Sequence, residues 1–292
     1  MLFQGTGVAI VTPFKKDETI DFEALSRIVN HCIDEKVDYI VIMGTTGESV
    51  TLSREETDKV VRYVVELAAD EIPVVIGIGG NDTAKVVKKI KRTDFNGISG
   101  MLSVAPYYNK PTQSGIIAHY KTIAAESPVP VILYNIPGRT GINMTAETTL
   151  TLAHEVDNIV AMKEASGSLS QMSEIIKGRP ADFAVISGDD AFALPLIALG
   201  GDGIISVAAN AFPKQIAALT REALSGNFSE ARAIHYQMLE LFNALFTDGN
   251  PAGIKAALHI LGMAENILRL PLVPVSQKTY EKLSSLIREI GA

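Results

Sequence analysis

The chain has 292 residues, a formal net charge of −7 and a single cysteine, Cys32. Acidic and basic residues are interspersed, so no basic patch indicates a nucleic-acid partner. No apolar run approaches the roughly 20 residues that a membrane-spanning helix needs. Residues 1–5 lack the basic start and apolar core of a signal peptide. One cysteine excludes an intrachain disulfide, and its place on the apolar face of a helix pattern predicts a core residue. We therefore expect a cytoplasmic protein without nucleic-acid or membrane partners.

Short runs rich in valine and isoleucine recur along the chain, with helical patterns between them. The runs lack polar alternation, which is typical of strands covered on both faces, as in parallel sheets. Eight such runs are predicted as strands: 7–14, 37–43, 73–78, 97–105, 130–136, 158–165, 183–187 and 203–208. Eight strands alternating with helices in about 225 residues predict a (β/α)8 TIM barrel. An open doubly wound sheet is the alternative, but no glycine-rich dinucleotide fingerprint follows the first run.

The segments between the runs carry recognisable helix starts. Asp21 can cap the first helix, and Ser53 with Glu56 matches a capping box before the second. Thr112 can cap a helix over 113–126. These starts support the alternation of strand and helix that a barrel requires.

A helical segment follows the predicted barrel. The eighth barrel helix is predicted over 213–225, and 228–290 then holds three more helical patterns. One of them begins at Asn250, read as a cap, with Pro251 at the first helical position. We therefore predict a catalytic barrel and a C-terminal helical extension: 1–225 and 226–292.

Polar residues cluster where the predicted strands end, and catalysis in TIM barrels takes place at those carboxyl ends. The residues are Thr45, Thr46, Ser49, Tyr107, Tyr108, Tyr134, Arg139, Lys163, Asp189 and Asp190. Each has an ordinary explanation on its own: a turn, a packing aromatic, a surface charge, a first-turn acid or a lysine that reaches solvent. Their convergence on one end of one barrel favours a shared functional site.

Lys163 stands near the end of a buried apolar run, and buried lysines are rare. A free lysine has a pKa near 10.4, so only about 0.04% is neutral at pH 7. A dry barrel mouth lowers that pKa because it disfavours the charged form. The neutral amine can attack a ketone and form a Schiff base. Glu164 should face the helix layer instead, because successive strand residues alternate in direction.

Imine formation with a keto acid also requires groups that transfer protons and groups that bind the carboxylate of the substrate. Tyr134, relaying through Thr45, can move protons without a histidine, and all five histidines fall in helical segments. Thr46 with the adjacent turn amides suits a carboxylate, because backbone N–H groups before a helix bind anions. No His, Cys or carboxylate cluster has metal-ligand spacing, so we expect neither a metal nor a cofactor.

Three motifs at the predicted ends of strands two, five and six carry a resemblance to a known family. They are 44–48 (Gly-Thr-Thr-Gly-Glu), 134–140 (Tyr-Asn-Ile-Pro-Gly-Arg-Thr) and 163–165 (Lys-Glu-Ala). The chain, over essentially its whole length, resembles the pyruvate-dependent class I lyases of the dihydrodipicolinate synthase / N-acetylneuraminate lyase family. The resemblance implies a Schiff base between a lysine and pyruvate.

The resemblance also implies roles for the matched residues. Lys163 would form the Schiff base, and Thr46 would hold the pyruvate carboxylate. Tyr134 would donate and accept protons, relaying through Thr45 to Tyr108. In the family this last tyrosine reaches into the neighbouring subunit's site, which implies a homo-oligomer with a dimer as the minimum and a tetramer as the usual state.

Substrate choice depends on Arg139 in this resemblance. In the synthases of the family, that arginine meets the carboxylate of aspartate semialdehyde, whereas the sialic acid lyases usually lack it. Gly188 and Ile205 would shape the pocket through main-chain carbonyls. The resemblance therefore implies condensation of pyruvate with aspartate semialdehyde, the entry step to diaminopimelate and lysine. The alternatives are a retro-aldol lyase acting on a sugar acid or other 2-keto acid, and an inactive barrel that serves as a scaffold.

Many family members are inhibited by lysine at a dimer-interface site. The corresponding positions here are Ser49, Val50, Arg54, Thr57, Asn81, Lys85 and Tyr107. Lysine-sensitive members often carry a histidine where this chain has Thr57 and a glutamate where it has Lys85. A cation at 85 repels the ammonium group of lysine. We therefore expect weak or absent inhibition by lysine.

Overall fold

The protein is described here from a computed structural model covering residues 3–69 and 71–291. Within these residues eight parallel strands close into one barrel in chain order. The strands are β1 (Gly5–Ala9), β2 (Tyr39–Ile42), β3 (Val74–Gly77), β4 (Gly100–Val104), β5 (Val131–Asn135), β6 (Ile159–Glu164), β7 (Ala184–Ser187) and β8 (Gly203–Ser206). The closed barrel confirms the predicted (β/α)8 fold and excludes the open sheet.

Helices follow every strand and form the outer layer. Within the described residues they are α1 (Phe22–Asp34), α2 (Arg54–Ala68), α3 (Thr83–Arg92), α4 (Gln113–Ala125), α5 (Pro137–Thr140), α6 (Ala146–Glu155), α7 (Leu169–Gly178), α8 (Ala193–Ala198), α9 (Pro213–Leu224), α10 (Phe228–Phe246), α11 (Ala252–Ile260) and α12 (Gln277–Ile290). The helix α5 is a single turn between β5 and α6. Short 3-10 turns at Asp190–Phe192 and Ala208–Asn210 follow β7 and β8.

The predicted helix starts are confirmed in three places. The Asp21 carboxylate accepts a hydrogen bond from Ala24 N at 3.0 Å. Ser53 and Glu56 cap α2 reciprocally, each side chain accepting from the other's backbone N–H. Thr112 caps α4. Such caps satisfy backbone N–H groups that have no partner inside the helix.

The predicted cap at Asn250 is wrong. Helix α11 starts at Ala252, Pro251 occupies the cap position, and no side chain caps the helix. The Asn250 amide instead donates to Thr46 Oγ1 at 3.0 Å. The Asn250 side chain therefore makes a tertiary contact in place of the helix cap that the local sequence pattern predicts.

The first strand also differs from its predicted bounds of 7–14, because β1 ends at Ala9. Ile10 N still donates to Val41 O at 2.9 Å, but the chain then leaves the barrel, and Phe14 forms an isolated bridge with Ile20. The side chains beyond Ala9 stay apolar because they pack in the core between the barrel and its helices. An apolar run therefore does not mark the point where pairing stops.

The strand begins two residues earlier than predicted because glycines permit close approach between β1 and β8. A Cβ on Gly203 would lie 1.9 Å from Gly5 O, a distance that no side chain tolerates. Gly203 pairs with Gly5 in the register of the two strands. The two glycines thus allow the last strand to close on the first.

Two apolar cores position the site. One fills the barrel interior, with Phe3 and Tyr39 in the same cluster as Tyr134. The other lies between the sheet and the helices, includes the fully buried Cys32 as predicted, and extends into α10 and α12 through Met238 and Leu283. The helices after α9 therefore share a core with the barrel layer, and the division at 225/226 stays a prediction. No helix in the described ranges is long and apolar enough to cross a membrane.

Candidate active site

A cavity of about 470 Å³ opens at the carboxyl ends of the barrel strands. Six of the eight residues predicted to act on substrate line it: Thr45, Thr46, Tyr134, Arg139, Lys163 and Gly188. They come from the ends of β2, β5, β6 and β7, which the barrel brings to one mouth. The structure thus assembles most of the predicted site from segments more than a hundred residues apart in the chain.

Lys163 and Tyr134 lie in register on neighbouring strands β6 and β5. Both side chains point into the barrel mouth, with exposed fractions of 5% and 7%. The Lys163 amine sits 4.5 Å from the centroid of the Tyr134 ring. A phenol is therefore adjacent to the amine, where proton transfer during imine chemistry requires an acid or base.

Burial lowers the pKa of Lys163 from 10.5 to about 8. The Asp190 carboxylate opposes this change by favouring the ammonium form, and the Arg139 guanidinium lowers the pKa further. With a pKa near 8, about one-tenth of the amine is neutral at pH 7, a gain of roughly 200-fold over a free lysine. The barrel therefore supplies a nucleophilic amine at neutral pH.

The phenol of Tyr134 keeps its proton. Burial raises its pKa, the positive charge of Arg139 opposes the rise, and the negative charge of Asp189 adds to it. A neutral phenol can donate its proton to a reacting oxygen and later take a proton back. Glu164, next to Lys163 in sequence, faces the helix layer as predicted, where it accepts hydrogen bonds from Asn135 and Gln171.

The turn after β2 carries the group predicted to bind the substrate carboxylate, which consists of Thr46 and the adjacent backbone amides and is called the carboxylate cradle below. Thr46 is 3% exposed and accepts from Asn250, whereas Thr45 is exposed at the cavity wall. Two non-glycine residues flank the turn in the left-handed region, Met43 at φ +58° and Glu48 at φ +51°. Each such residue costs about 1–2 kcal/mol, so other contacts must hold the turn.

Arg139 and Gly188 both line the cavity wall. Arg139, on α5, is exposed and donates from Nη2 to Asn250 O at 3.2 Å, which aims its charge at the cavity. Gly188 follows β7 directly, and a Cβ there would lie 3.0 Å from Lys163 Cε and 2.8 Å from Ala165 Cβ. The backbone at 188 therefore packs tightly on the Lys163 stem.

Two predicted residues lie outside the cavity wall. Ile205 is fully buried in the barrel interior cluster that also contains Tyr134. Tyr108 is 87% exposed and takes a left-handed conformation at φ +73°, held by a hydrogen bond from its N–H to Thr140 O at 3.3 Å. A bulky residue at positive φ is uncommon, and it usually marks a constrained or functional position.

The predicted effector positions divide between two cavities. Four line a cavity of about 720 Å³ between α2 and α3: Ser49, Arg54, Thr57 and Lys85. Val50 and Tyr107 line the active-site cavity, as Ser49 also does. Asn81 is exposed and lines neither of these two cavities. Among the predicted effector positions, Ser49 is thus the residue that lines both cavities.

Sequence reasoning assigned no catalytic or binding role to four residues that contact the site or support it. Asp190 is buried, accepts from Val207 N and Ala208 N, and acts electrostatically on Lys163. Glu48, Asn250 and Lys255 support the turn after β2. A usable signal existed for Lys255 alone: it is the single charged residue among the apolar positions 252–258.

Comparisons with known proteins agree with this geometry. The model of the dihydrodipicolinate synthetase family matches residues 2–290. A 4-hydroxy-tetrahydrodipicolinate synthase from Parabacteroides distasonis is 52% identical over 288 residues, covering 99% of this chain and 97% of the relative.

Solved structures show the same similarity. Dihydrodipicolinate synthase from Thermotoga maritima superposes with a TM-score of 0.97 at 42% identity, covering 100% of this chain and 99% of its own. A dihydrodipicolinate synthase from Acinetobacter baumannii, complexed with pyruvate, superposes with a TM-score of 0.95 at 39% identity, covering 99% of both chains. By sequence, fold and site, this chain belongs to the dihydrodipicolinate synthetase family.

Proposed function

We propose that the chain condenses pyruvate with L-aspartate 4-semialdehyde to give 4-hydroxy-tetrahydrodipicolinate, the first committed step of lysine and diaminopimelate biosynthesis. The observation that carries the proposal is the desolvated Lys163 amine beside the Tyr134 phenol at the end of a closed barrel. The names of the curated relatives and the pyruvate complex of the Acinetobacter baumannii relative support it.

The first half of the reaction makes the imine. The neutral Lys163 amine attacks the keto carbon of pyruvate, while Thr46 and the neighbouring turn amides hold the carboxylate. Tyr134 protonates the carbinolamine hydroxyl, which leaves as water. Thr45 and the partner subunit's Tyr108 relay protons to and from Tyr134. Main-chain carbonyls at Gly188 and Ile205 orient the lysine.

The second half makes the carbon–carbon bond. A methyl proton passes to the proton relay at Tyr134, which turns the imine into an enamine. The enamine carbon attacks the aldehyde of the second substrate, and the resulting alkoxide takes a proton from the same relay. Arg139 holds the carboxylate of that substrate, since guanidinium groups bind carboxylates in a bidentate manner. The substrate's own amino group then displaces the Lys163 amine and closes the ring. One water is released overall, and the enzyme is regenerated.

Borohydride trapping tests the imine. Incubation with pyruvate and borohydride should place a stable adduct on the peptide that contains Lys163, as mapped by mass spectrometry. Lys163→Ala should lose the adduct and nearly all turnover, while Lys121→Ala, in the outer helix layer, should retain both. Turnover that survives in Lys163→Ala would contradict the imine mechanism. Failure of the wild type to trap pyruvate would favour a non-catalytic barrel.

A coupled assay separates the synthase from a retro-aldol lyase. If the chain is a synthase, we expect turnover with aspartate semialdehyde. We also expect Arg139→Ala to lower kcat/KM for that substrate by about a hundredfold. Trapping at saturating pyruvate should persist, because Arg139 serves the second substrate. Its initial rate near pH 7 should fall somewhat, because the Arg139 charge also lowers the pKa of Lys163. Cleavage of a sugar acid that tolerates Arg139→Ala would point to the lyase instead.

We propose a cytoplasmic homo-oligomer, with a tetramer built as a dimer of dimers. The supporting observation is the pair of apolar side chains beside the cavity, Tyr108 and Val50, each 87% exposed. Exposed aromatic and aliphatic groups of this kind are typical of protein interfaces. Sedimentation velocity should show the oligomer, and Tyr108→Ala should reduce turnover. A fully active monomer would contradict the shared site.

A further inference from the structure

A buried ion pair ties the turn after β2 to the helices that follow the barrel. Lys255 on α11 pairs with Glu48, and the side chains of the two residues are 1% and 0% exposed. Glu48 closes the turn that carries Thr45 and Thr46, and its N–H donates to Thr45 O at 3.1 Å. Charges are buried in this way only when they are paired, since desolvation disfavours them strongly.

Each partner of the pair has a second fixed contact. The Lys255 amine donates to Ile267 O at 2.9 Å and lies 4.1 Å from the centroid of the Phe14 ring. The other carboxylate oxygen of Glu48 accepts from Arg269 N at 3.1 Å. Helix α11 packs closely on α10 at Gly253, where an added Cβ would lie 2.0 Å from Leu245 O.

Arg269 makes further contacts with the same turn. It donates to Thr51 O at 3.0 Å and to Glu56 on α2, and its guanidinium lies 4.5 Å from the centroid of the Phe14 ring. Glu56 is also the third helical residue of α2, and its side chain completes the capping box with Ser53. The segment after α11 is therefore bonded to both the turn and the helix that the turn leads into.

A third contact involves Thr46, which belongs to the carboxylate cradle. The Asn250 amide, just before α11, donates to Thr46 Oγ1. Thr46 flanks the cavity, and Glu48 takes the left-handed conformation that the turn needs. Backbone in such a conformation persists only when its surroundings hold it. Among the described residues, the contacts that hold this turn come mainly from 250–269.

We propose that Lys255 and Glu48 are positioning residues, whose buried pair holds the turn that carries Thr45 and Thr46 so that α11 sets the geometry of the carboxylate cradle. This proposal rests on the proposed function, in which Thr46 holds the pyruvate carboxylate. Neither residue touches the reacting atoms. Their effect should therefore fall on pyruvate binding more than on the imine step.

The pair Arg179–Asp202 provides a matched control. It is also largely buried, with side chains 15% and 7% exposed, and Asp202 accepts from Val185 N at 2.7 Å. It lies at the amino ends of β7 and β8, on the far side of the barrel from the cavity. Removing one partner of either pair leaves a buried charge and destabilises the protein.

The experiment compares Lys255→Met with Arg179→Met. We expect Lys255→Met to raise the pyruvate concentration for half-maximal borohydride trapping by about tenfold or more, with nearly unchanged trapping at saturation. Arg179→Met should lower the unfolding temperature and leave the half-saturation value within about twofold. Equal half-saturation values for the two variants would overturn the proposal, because the pair would then serve stability alone.

A further measurement and a second variant keep the test decisive. Hydrogen exchange over residues 44–52 should be faster in Lys255→Met than in Arg179→Met, and this readout needs no substrate. If Lys255→Met fails to fold, Glu48→Gln replaces it, since the amide can still accept from Arg269 N. A wild type that traps no pyruvate refutes the proposed function, whereas unchanged exchange and half-saturation in the variant refute the positioning role.

Discussion

The Lys163 amine lies over the Tyr134 ring, 4.5 Å from its centroid, because the two residues are register partners on β6 and β5. Neighbouring parallel strands hold their register through backbone hydrogen bonds, so this separation does not depend on loop conformation. The proposed nucleophile and the proposed proton donor are thus placed by paired barrel strands and not by loops. The turns and helix ends around them supply substrate contacts.

The pH dependence of trapping should report the Lys163 amine. Its pKa is lowered to about 8, so the neutral fraction rises as pH increases through 8 and levels off above it. The initial rate of adduct formation at limiting pyruvate should follow the same curve, falling about tenfold for each unit below the midpoint. A midpoint near 10.4, the free-lysine value, would contradict desolvation of the amine.

Removing the charge of Asp190 should move that midpoint to lower pH. The carboxylate favours the ammonium form of Lys163, so Asp190→Asn should lower the pKa of Lys163. The asparagine carbonyl keeps one acceptor for Val207 N or Ala208 N. Asp189→Asn is the control and should leave the midpoint unchanged. A shift to higher pH in Asp190→Asn would show that its charge does not reach the amine.

Gly188→Ala should block imine formation without unfolding the barrel. The added Cβ would lie 3.0 Å from Lys163 Cε and 2.8 Å from Ala165 Cβ, so the lysine stem must move. We expect the trapping rate to fall by about a hundredfold. Gly138→Ala is the control, because a Cβ there meets no atom within 4 Å. Circular dichroism should match wild type for both, and normal trapping in Gly188→Ala would refute the tight fit.

Lysine should inhibit the enzyme weakly or not at all. Lys85 lines the cavity between α2 and α3 with an 84% exposed side chain, 3.5 Å from Asp82. Its charge repels an ammonium ligand. Turnover should be insensitive to sub-millimolar lysine, and Lys85→Glu combined with Thr57→His should increase sensitivity. Inhibition of the wild type by sub-millimolar lysine would refute this prediction.

The fold was accessible from sequence because its signals are local and repeated. Eight apolar runs separated by helix starts such as Asp21 and Ser53 define the alternation, and only a barrel or an open sheet satisfies it. Strand ends were less accessible. The apolar stretch after Ala9 is buried whether or not it is paired, so hydrophobicity alone overextends β1.

The site was accessible for a related reason. Parallel strands in a barrel all end at one mouth, so a polar residue at each strand end predicts a cluster. Lys163, Tyr134, Thr46 and Arg139 meet there as that rule requires. Tyr108 does not join them within one chain, since its left-handed backbone turns it outward.

The barrel and the order of reactive groups around its mouth could be predicted from sequence, because strand periodicity and strand-end position are properties of short segments. The contacts that hold those groups in place become visible only in the folded chain. The partners of Thr46 and Glu48 are Asn250, Lys255 and Arg269, roughly two hundred residues further along the chain. No local pattern encodes such pairing, since it depends on how the helices after the barrel fold back over the strand ends.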